Sequence, residues 1–312
     1  FFKIQLIYTN HYGYGDFVLF CNYFRNKVNS KNKIFCFSNL QYKIARFFFK
    51  DKFIYKSLIL MPEILNESHL GINFLNHIKN FNPRNPVKKA SDGKYFTISH
   101  LSHATKESMG FIHNRIRQNT ISNKVRQVCK KKTICLYIKT FNYKKNNHLN
   151  FQTRQTRNLK KIYDLIYLIN KKKINLIILG NNKDQFIKSL PKKISQDLKY
   201  VYLFKDISKD YSIADQAYVG KNSYGYIGSG SGANVFFNLL NKKLIYIDAV
   251  LSPTDKYWKK TITFIYKKVK NIKNNKVRIM KWEFYDEKKF KIIENRFCDI
   301  KKSINKKLRI QI

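Results

Sequence analysis

Acidic residues are scarce in this chain: 19 Asp+Glu stand against 62 Lys+Arg in 312 residues, a formal net charge of +43. Cysteine is also scarce. Cys21, Cys36, Cys129, Cys135 and Cys298 are odd in number, form no CxxC pair and sit mostly in apolar runs. That is no disulfide framework, and reduced cytosol is the simplest compartment. No run reaches the ~18 apolar residues of a membrane span. The opening Phe1-Phe2-Lys3 has neither a secretory signal pattern nor an initiator Met, so the chain reads as an N-terminally clipped fragment. There is no internal repeat and no low-complexity segment beyond a Lys/Asn bias.

What is present is a core. Hydrophobic residues make up 44% and aromatics 15% of the chain, which excludes a disordered basic tail. The length suits two domains of about 100–200 residues. The charge first suggests nucleic acid, because clustered cations release counterions from phosphates. The cations are mostly Lys, 51 against 11 Arg, and they are scattered, with no run longer than Lys130-Lys131-Lys132 or Lys171-Lys172-Lys173. AT-rich coding alone would produce that distribution, since Asn and Ile are abundant too. Either way, such a surface attracts anionic ligands.

Apolar runs and helical spacings alternate. Ile4 to Tyr8 reads as a strand, Phe17 to Val28 as a helix, Lys33 to Phe37 as a strand, Leu40 to Phe49 as a helix and Phe53 to Leu60 as a strand. From about Asn66 to Arg126 the pattern blurs. It restarts with strands at Thr133 to Ile138, Ile174 to Leu179, Tyr200 to Phe204, Tyr224 to Ile227 and Leu244 to Asp248, separated by helices over Asn158 to Lys171, Lys183 to Leu190 and Ile213 to Asn222. Alternation of this kind predicts parallel sheets with helical crossovers. The expected domains are residues 1–130, residues 131–282, and a charged helical tail over 283–312.

Two glycine turns could carry chemistry. In Ile227-Gly228-Ser229-Gly230-Ser231-Gly232-Ala233-Asn234 a strand runs through a glycine loop into a helix. Missing Cβ atoms let a phosphate approach backbone N–H groups there, and Ser229 and Ser231 add hydroxyls. A tight turn is the plain alternative. The spacing is neither G-x-G-x-x-G nor a Walker loop. The second turn, Asn10-His11-Tyr12-Gly13-Tyr14-Gly15-Asp16, follows the first strand. Asp16 can cap the helix, or act as a general base at a strand edge where parallel sheets bind ligands.

These two motifs, in this order, resemble a glycosyltransferase of the two-Rossmann-domain type (GT-B), and most of all the bacterial heptosyltransferase-like enzymes of surface-polysaccharide assembly. The resemblance spans roughly residues 4–30 and 133–250. Tyr14-Gly15-Asp16 fits the family's Gly-Asp turn without its Ser. Cys135-Leu136-Tyr137-Ile138-Lys139, Arg157-Asn158 and the 227–232 loop match three motifs of a related glycosyltransferase-like group, with Lys139 where that group has Arg. A heptose-type Asp-Thr-Gly-x-x-His pattern is missing, Gly230 standing in place of the Asp.

The resemblance implies two Rossmann-like domains facing each other across a cleft, and an inverting, metal-independent transfer from a nucleotide-sugar to an anionic glycan or glycolipid acceptor. It makes Asp16 the base, with Tyr12, Gly13, Tyr14 and Gly15 on the acceptor side. Donor contacts would come from Lys139, Arg154, Arg157, Asn158, Gly180, Asn181, Gly228, Ser229, Gly230, Ser231 and Gly232. No cofactor is implied, and the enzyme would be cytoplasmic, with peripheral contact at the inner membrane. Asn182 is a plain turn residue or a nucleotide contact, and Asp248 a ribose contact or a loop cap. The histidines, including His100 and His103, lack metal spacing. Competing readings are a nucleic-acid binder, without any helix-turn-helix, zinc-finger or RNP-like sequence to support it, and a nucleotide-sugar epimerase or non-catalytic binder of the same fold.

Overall fold

The structure, a computed structural model, describes residues 5–8, 14–26, 32–36, 38–56, 79–80, 105–140, 155–180, 184–251, 261–281, 286 and 288–312. The chain divides into two compact units, Phe1–Gln118 and Asn119–Ile312. The sequence reading puts its boundary at 130. The residues between the two positions belong to the second unit because buried Asp215 fastens them there, accepting hydrogen bonds from Ser122 N–H (2.9 Å), Ser122 Oγ and Ser208 Oγ.

The first unit holds strands β1 (Gln5–Tyr8), β2 (Asn32–Cys36), β3 (Ile54–Lys56) and β4 (Lys79–Asn80), with helices α1 (Tyr14–Phe24), α2 (Asn39–Phe48) and α3 (Lys106–Gln118). The strands form one parallel sheet in the order β3-β2-β1-β4. Ser38 caps α2 by accepting the Gln41 N–H, and Ile44, Ala45, Phe47 and Phe48 form its buried stripe. The helix expected from Phe17 begins at Tyr14, so Gly15 and Asp16 belong to its first turn rather than to the preceding loop.

The second unit opens with α4 (Asn123–Cys129) and β5 (Thr133–Tyr137). These are followed by α5 (Lys160–Lys171), β6 (Asn175–Ile178), α6 (Gln185–Ser189), β7 (Val201–Leu203), α7 (Phe204–Ile207), α8 (Ile213–Asn222), β8 (Gly225–Gly228), α9 (Val235–Leu239) and β9 (Lys243–Ala249). Strands β10 (Ile262–Tyr266), β11 (Lys268–Asn271), β12 (Val277–Ile279) and β13 (Phe290–Ile293) lead to the last helix, α10 (Phe297–Leu308). Six parallel strands pair in the order β10-β9-β8-β5-β6-β7. Every residue of β6 and β8 is buried, as expected for strands covered on both faces.

Ile162, Leu165, Ile166 and Ile169 of α5 and Ile300, Ile304 and Leu308 of α10 form apolar stripes in the core around this sheet. The tail differs from the helix expected over 283–306. After a turn at Asp286 to Lys289 its first regular element is β13, which pairs antiparallel with β11 in a separate sheet of order β12-β11-β13, and the helix begins only at Phe297. Among the described residues no helix is long and apolar enough to cross a membrane.

Candidate functional site

In the six-stranded sheet, β5 is central. The chain winds outward from it through β6 and β7, then returns to its other side with β8, β9 and β10. Crossovers leave in opposite directions from β5 and β8, so a crevice opens beyond their C-terminal ends, where doubly wound sheets hold ligands. Three segments singled out from sequence meet at that edge: the end of β5, the Gln155–Asn158 segment and the glycine loop after β8.

Backbone contacts build the meeting point. Gly228 pairs with Tyr137 and has φ +143°, and a Cβ there would lie 1.9 Å from the Tyr137 carbonyl oxygen. Only glycine permits the two strands to close up at this height. Ser229 N–H then donates to Tyr137 O (2.8 Å), and Lys139 N–H donates to Ser229 Oγ (2.9 Å). The Tyr226 hydroxyl, behind the loop, donates to Ser229 O (2.6 Å). On the other side Thr156 N–H donates to Lys139 O (2.8 Å), which places Arg157 beside the same strand end. Lys139 is thus tied through its own backbone to the loop and to the Arg157 segment.

The loop's residues divide by exposure. Ser229 is 3% exposed and fastens the loop, whereas Gly230 is open to solvent and Ser231, Gly232 and Ala233 are half-buried. Ser231 begins the next turn with a reciprocal cap: its Oγ accepts the Ala233 N–H, while its own N–H donates to Asn234 Oδ1 (2.9 Å). A Cβ on Gly230 would lie 3.1 Å from the Tyr246 ring.

Sequence reasoning missed what holds Arg157 and Asn158. Glu294 accepts both of their backbone N–H groups (2.6 and 3.1 Å). Lys161 Nζ reaches Glu294 Oε2 (3.1 Å) and Asp248 Oδ2 (2.7 Å), Thr156 Oγ1 donates to Asp248 Oδ2 (2.9 Å), and Lys267 Nζ donates to Gln155 O. The side chains of Lys161, Asp248 and Lys267 are almost wholly buried. Of the two readings of Asp248, the loop cap fits its contacts: Oδ1 accepts the backbone N–H of Asn295 in the loop before α10, while Lys161 and Thr156 also donate to the carboxylate.

Burial pushes the Glu294 carboxyl up, but the Arg157 N–H, Lys161, Lys267 and the Asn158 N–H more than reverse this and hold it below its ordinary value. Burial lowers Lys267, against the attraction of Asp248 and Glu294. One sequence signal pointed at this network. Lys161 lies four residues before Leu165 on the apolar stripe of α5, where an unpaired cation would be costly.

A cavity of about 890 Å³ opens beside this network, lined by Arg157, Asn158, Lys161, Glu294 and Phe290 among others. Residues 228–232 do not line it, so among the described residues the cavity and the glycine loop are neighbouring features joined through Thr156 and Lys139. Gly180 ends the segment after β6 with φ +124°, and its N–H donates to the Tyr211 hydroxyl. Tyr137 donates to Asp184 Oδ1 (3.0 Å), and burial followed by Asp184 pushes its phenol up, which keeps it a neutral donor.

In the first unit, Asp16 is the third residue of α1, just beyond β1, and its sheet repeats the arrangement of a first strand flanked by its second and fourth. Tyr14 is half-buried at the start of that helix. Tyr12, Gly13, Arg154, Asn181 and Asn182 lie outside the described residues, as do His100 and His103. Among the described residues no group of three or more His, Cys, Asp or Glu side chains is placed to hold a metal ion.

No family model and no curated protein matches the chain. Solved structures do. MnaA of S. aureus, in a co-structure with UDP, aligns over 84% of this chain and 84% of its own at 12% identity, with a TM-score of 0.52. The E. coli heptosyltransferase WaaC with ADP-2-deoxy-2-fluoro heptose aligns over 84% and 93% at 8% identity (TM-score 0.47). The UDP-GlcNAc 2-epimerase from Neisseria meningitidis bound to UDP-GlcNAc aligns over 83% and 86% at 10% identity (TM-score 0.42). At 12% identity the likeness to MnaA is one of fold. The chain has the mixed α/β architecture of GT-B proteins, with a six-stranded parallel sheet in its second unit.

Proposed function

We propose that this chain is an inverting glycosyltransferase that moves a sugar from a nucleotide-sugar to a surface-polysaccharide or lipopolysaccharide acceptor. The observation that carries this reading is the convergence at the β5/β8 edge, where the glycine loop, Lys139 and Arg157 are tied to one strand end. The fold likeness to a protein solved with UDP supports a nucleotide at that edge.

In this reading Asp16 takes the proton of the acceptor hydroxyl as its oxygen attacks the anomeric carbon. The bond from that carbon to the diphosphate oxygen breaks with inversion, and the electron pair leaves on the phosphate. Lys139, Arg157 and Arg154 neutralise it together with the N–H groups of Gly230 and Gly232, so cations do the work that a divalent metal does elsewhere. Lys139 acts as a point charge, not as the fork an Arg would supply. Tyr12, Gly13, Tyr14 and Gly15 line the acceptor side, and Gly180 and Asn181 the nucleotide side. The excess positive charge suits an anionic acceptor at the inner face of a cell membrane.

The test is a thermal-shift panel of UDP, GDP, ADP, CMP and single-stranded DNA at low and high salt. One nucleotide should stabilise the protein at high salt, by about 2.7 kcal/mol at a hundred times its Kd. A shift with DNA alone, erased by salt, would leave only a general polyanion surface. Asp16→Asn should then lower turnover by roughly 10²–10⁴-fold with nucleotide affinity unchanged. Conversion of a nucleotide-sugar with no acceptor present would favour the epimerase reading instead.

A further inference from the structure

The opposite edge of the six-stranded sheet has a different character. All six strands are parallel, so the starts of β9 at Lys243 and β10 at Ile262 lie on the edge away from the Gly228–Gly232 loop. There a groove of about 700 Å³, a size that accommodates a small ligand, runs between these strand starts and α10. Its cationic lining is Lys242, Lys243, Lys302, Lys306, Lys307 and Arg309, the other four lining residues are Asn, Thr or Ser, and among the described residues no carboxylate lines it.

Composition alone does not produce this groove. Lys and Arg are 62 of 312 residues in the chain but six of the ten that line it. The dipole of α10 accounts for Lys306 and Lys307 in its last turn. It does not account for Lys302 one turn earlier, a like charge four residues from Lys306, nor for Lys242 and Lys243 at the start of the facing strand. Arg309 ends the helix in the left-handed conformation, φ 49°, where Gly or Asn is the ordinary choice. The acidic residue of α10, Asp299, sits in its first turn and pairs with Arg296.

Neighbouring cations also act on one another. Burial, and then Lys221, lowers the pKa of Lys242, and burial, then Lys243, lowers that of Lys307. An anion in the groove would offset the repulsion between these cations.

We propose that this groove binds clustered phosphate groups, at a site separate from the glycine-loop edge. The phosphates belong either to a soluble phosphorylated molecule or to a lipid headgroup. The experiment titrates the full chain at about 0.15 M salt with inorganic tripolyphosphate, and separately with phosphatidylcholine vesicles carrying phosphatidic acid. The groove variant is Lys302→Glu/Lys306→Glu. The control is Lys273→Glu/Lys276→Glu, the same charge change at exposed positions in the turn between β11 and β12.

Tripolyphosphate affinity should fall about tenfold or more in the groove variant and less than about twofold in the control. Vesicle binding lost in the same selective way assigns the phosphates to a lipid, and tripolyphosphate binding without vesicle binding assigns them to a soluble ligand. Equal losses in both variants, or no binding by the natural chain, would overturn the proposal. If charge reversal unfolds the protein, Lys302→Gln/Lys306→Gln against Lys273→Gln/Lys276→Gln decides the same question with an expected loss of about threefold.

Discussion

The two edges of the six-stranded sheet handle positive charge in opposite ways. At the β5/β8 edge the buried cations Lys161 and Lys267 are matched by Asp248 and Glu294, and that network spends its charge on holding the Gln155–Asn158 segment. At the β9/β10 edge six cations line one groove, with no carboxylate among the described residues. A chain with only 19 acidic residues cannot pair every lysine. Two of those acids, Asp248 and Glu294, hold the Gln155–Asn158 segment, and none of the acids among the described residues lines the groove at the other edge. Lysine bias supplies the charges, and the fold decides which are compensated.

The contrast can be broken most severely at Gly228. Gly228→Ala would put a Cβ 1.9 Å from the Tyr137 carbonyl oxygen, in a backbone conformation that L side chains rarely adopt. It should cost more than about 4 kcal/mol or prevent folding, read from urea midpoints and soluble yield.

Next comes Glu294→Gln, which leaves Lys267 buried with one carboxylate fewer and should cost about 3 kcal/mol near neutral pH. The folded-state pKa of Glu294 lies below its ordinary 4.5, so its contribution is complete above the unfolded value and disappears as pH falls through the folded one. The stability gap between natural chain and variant should therefore be full at neutral pH, begin to shrink near 4.5 and close as pH falls through the lower folded-state value. A gap that persists at acid pH would show that Glu294 acts through packing instead.

Arg157→Ala gives the smallest effect and the sharpest one. The variant keeps the backbone N–H that Glu294 accepts, so stability should stay within about 0.5 kcal/mol. Nucleotide affinity in a titration should drop about tenfold, or about 1.4 kcal/mol, with part restored by Arg157→Lys.

The second sheet was legible because its central strands are short, wholly apolar runs: Ile134 to Leu136, Leu176 to Ile178 and Tyr226 to Ile227 announce burial on both faces. Strands β10 to β13 were not. In β11 and β13 Lys268, Lys270 and Lys291 interleave with Val269, Ile292 and Ile293, and in a chain so rich in lysine that alternation looks like background. The charged tail was read as helix from Glu283, yet Phe290–Ile293 is a strand. For the site, sequence brought out the residues with unusual backbones or exposed charge. It missed Lys161, Lys267 and Glu294, whose meaning depends on partners more than a hundred residues away.

That separation has a consequence for how the molecule comes to exist. Arg157 and the carboxylate that grips its backbone are 137 positions apart in the chain. At ribosomal speeds of about 5–20 residues per second, the segment carrying Arg157 is made roughly 7–27 s before Glu294. Until Glu294 is made, the segment has its Thr156–Lys139 backbone bond to the end of β5 but not the carboxylate that grips Arg157 and Asn158, so this edge is completed long after its own strands have been synthesised.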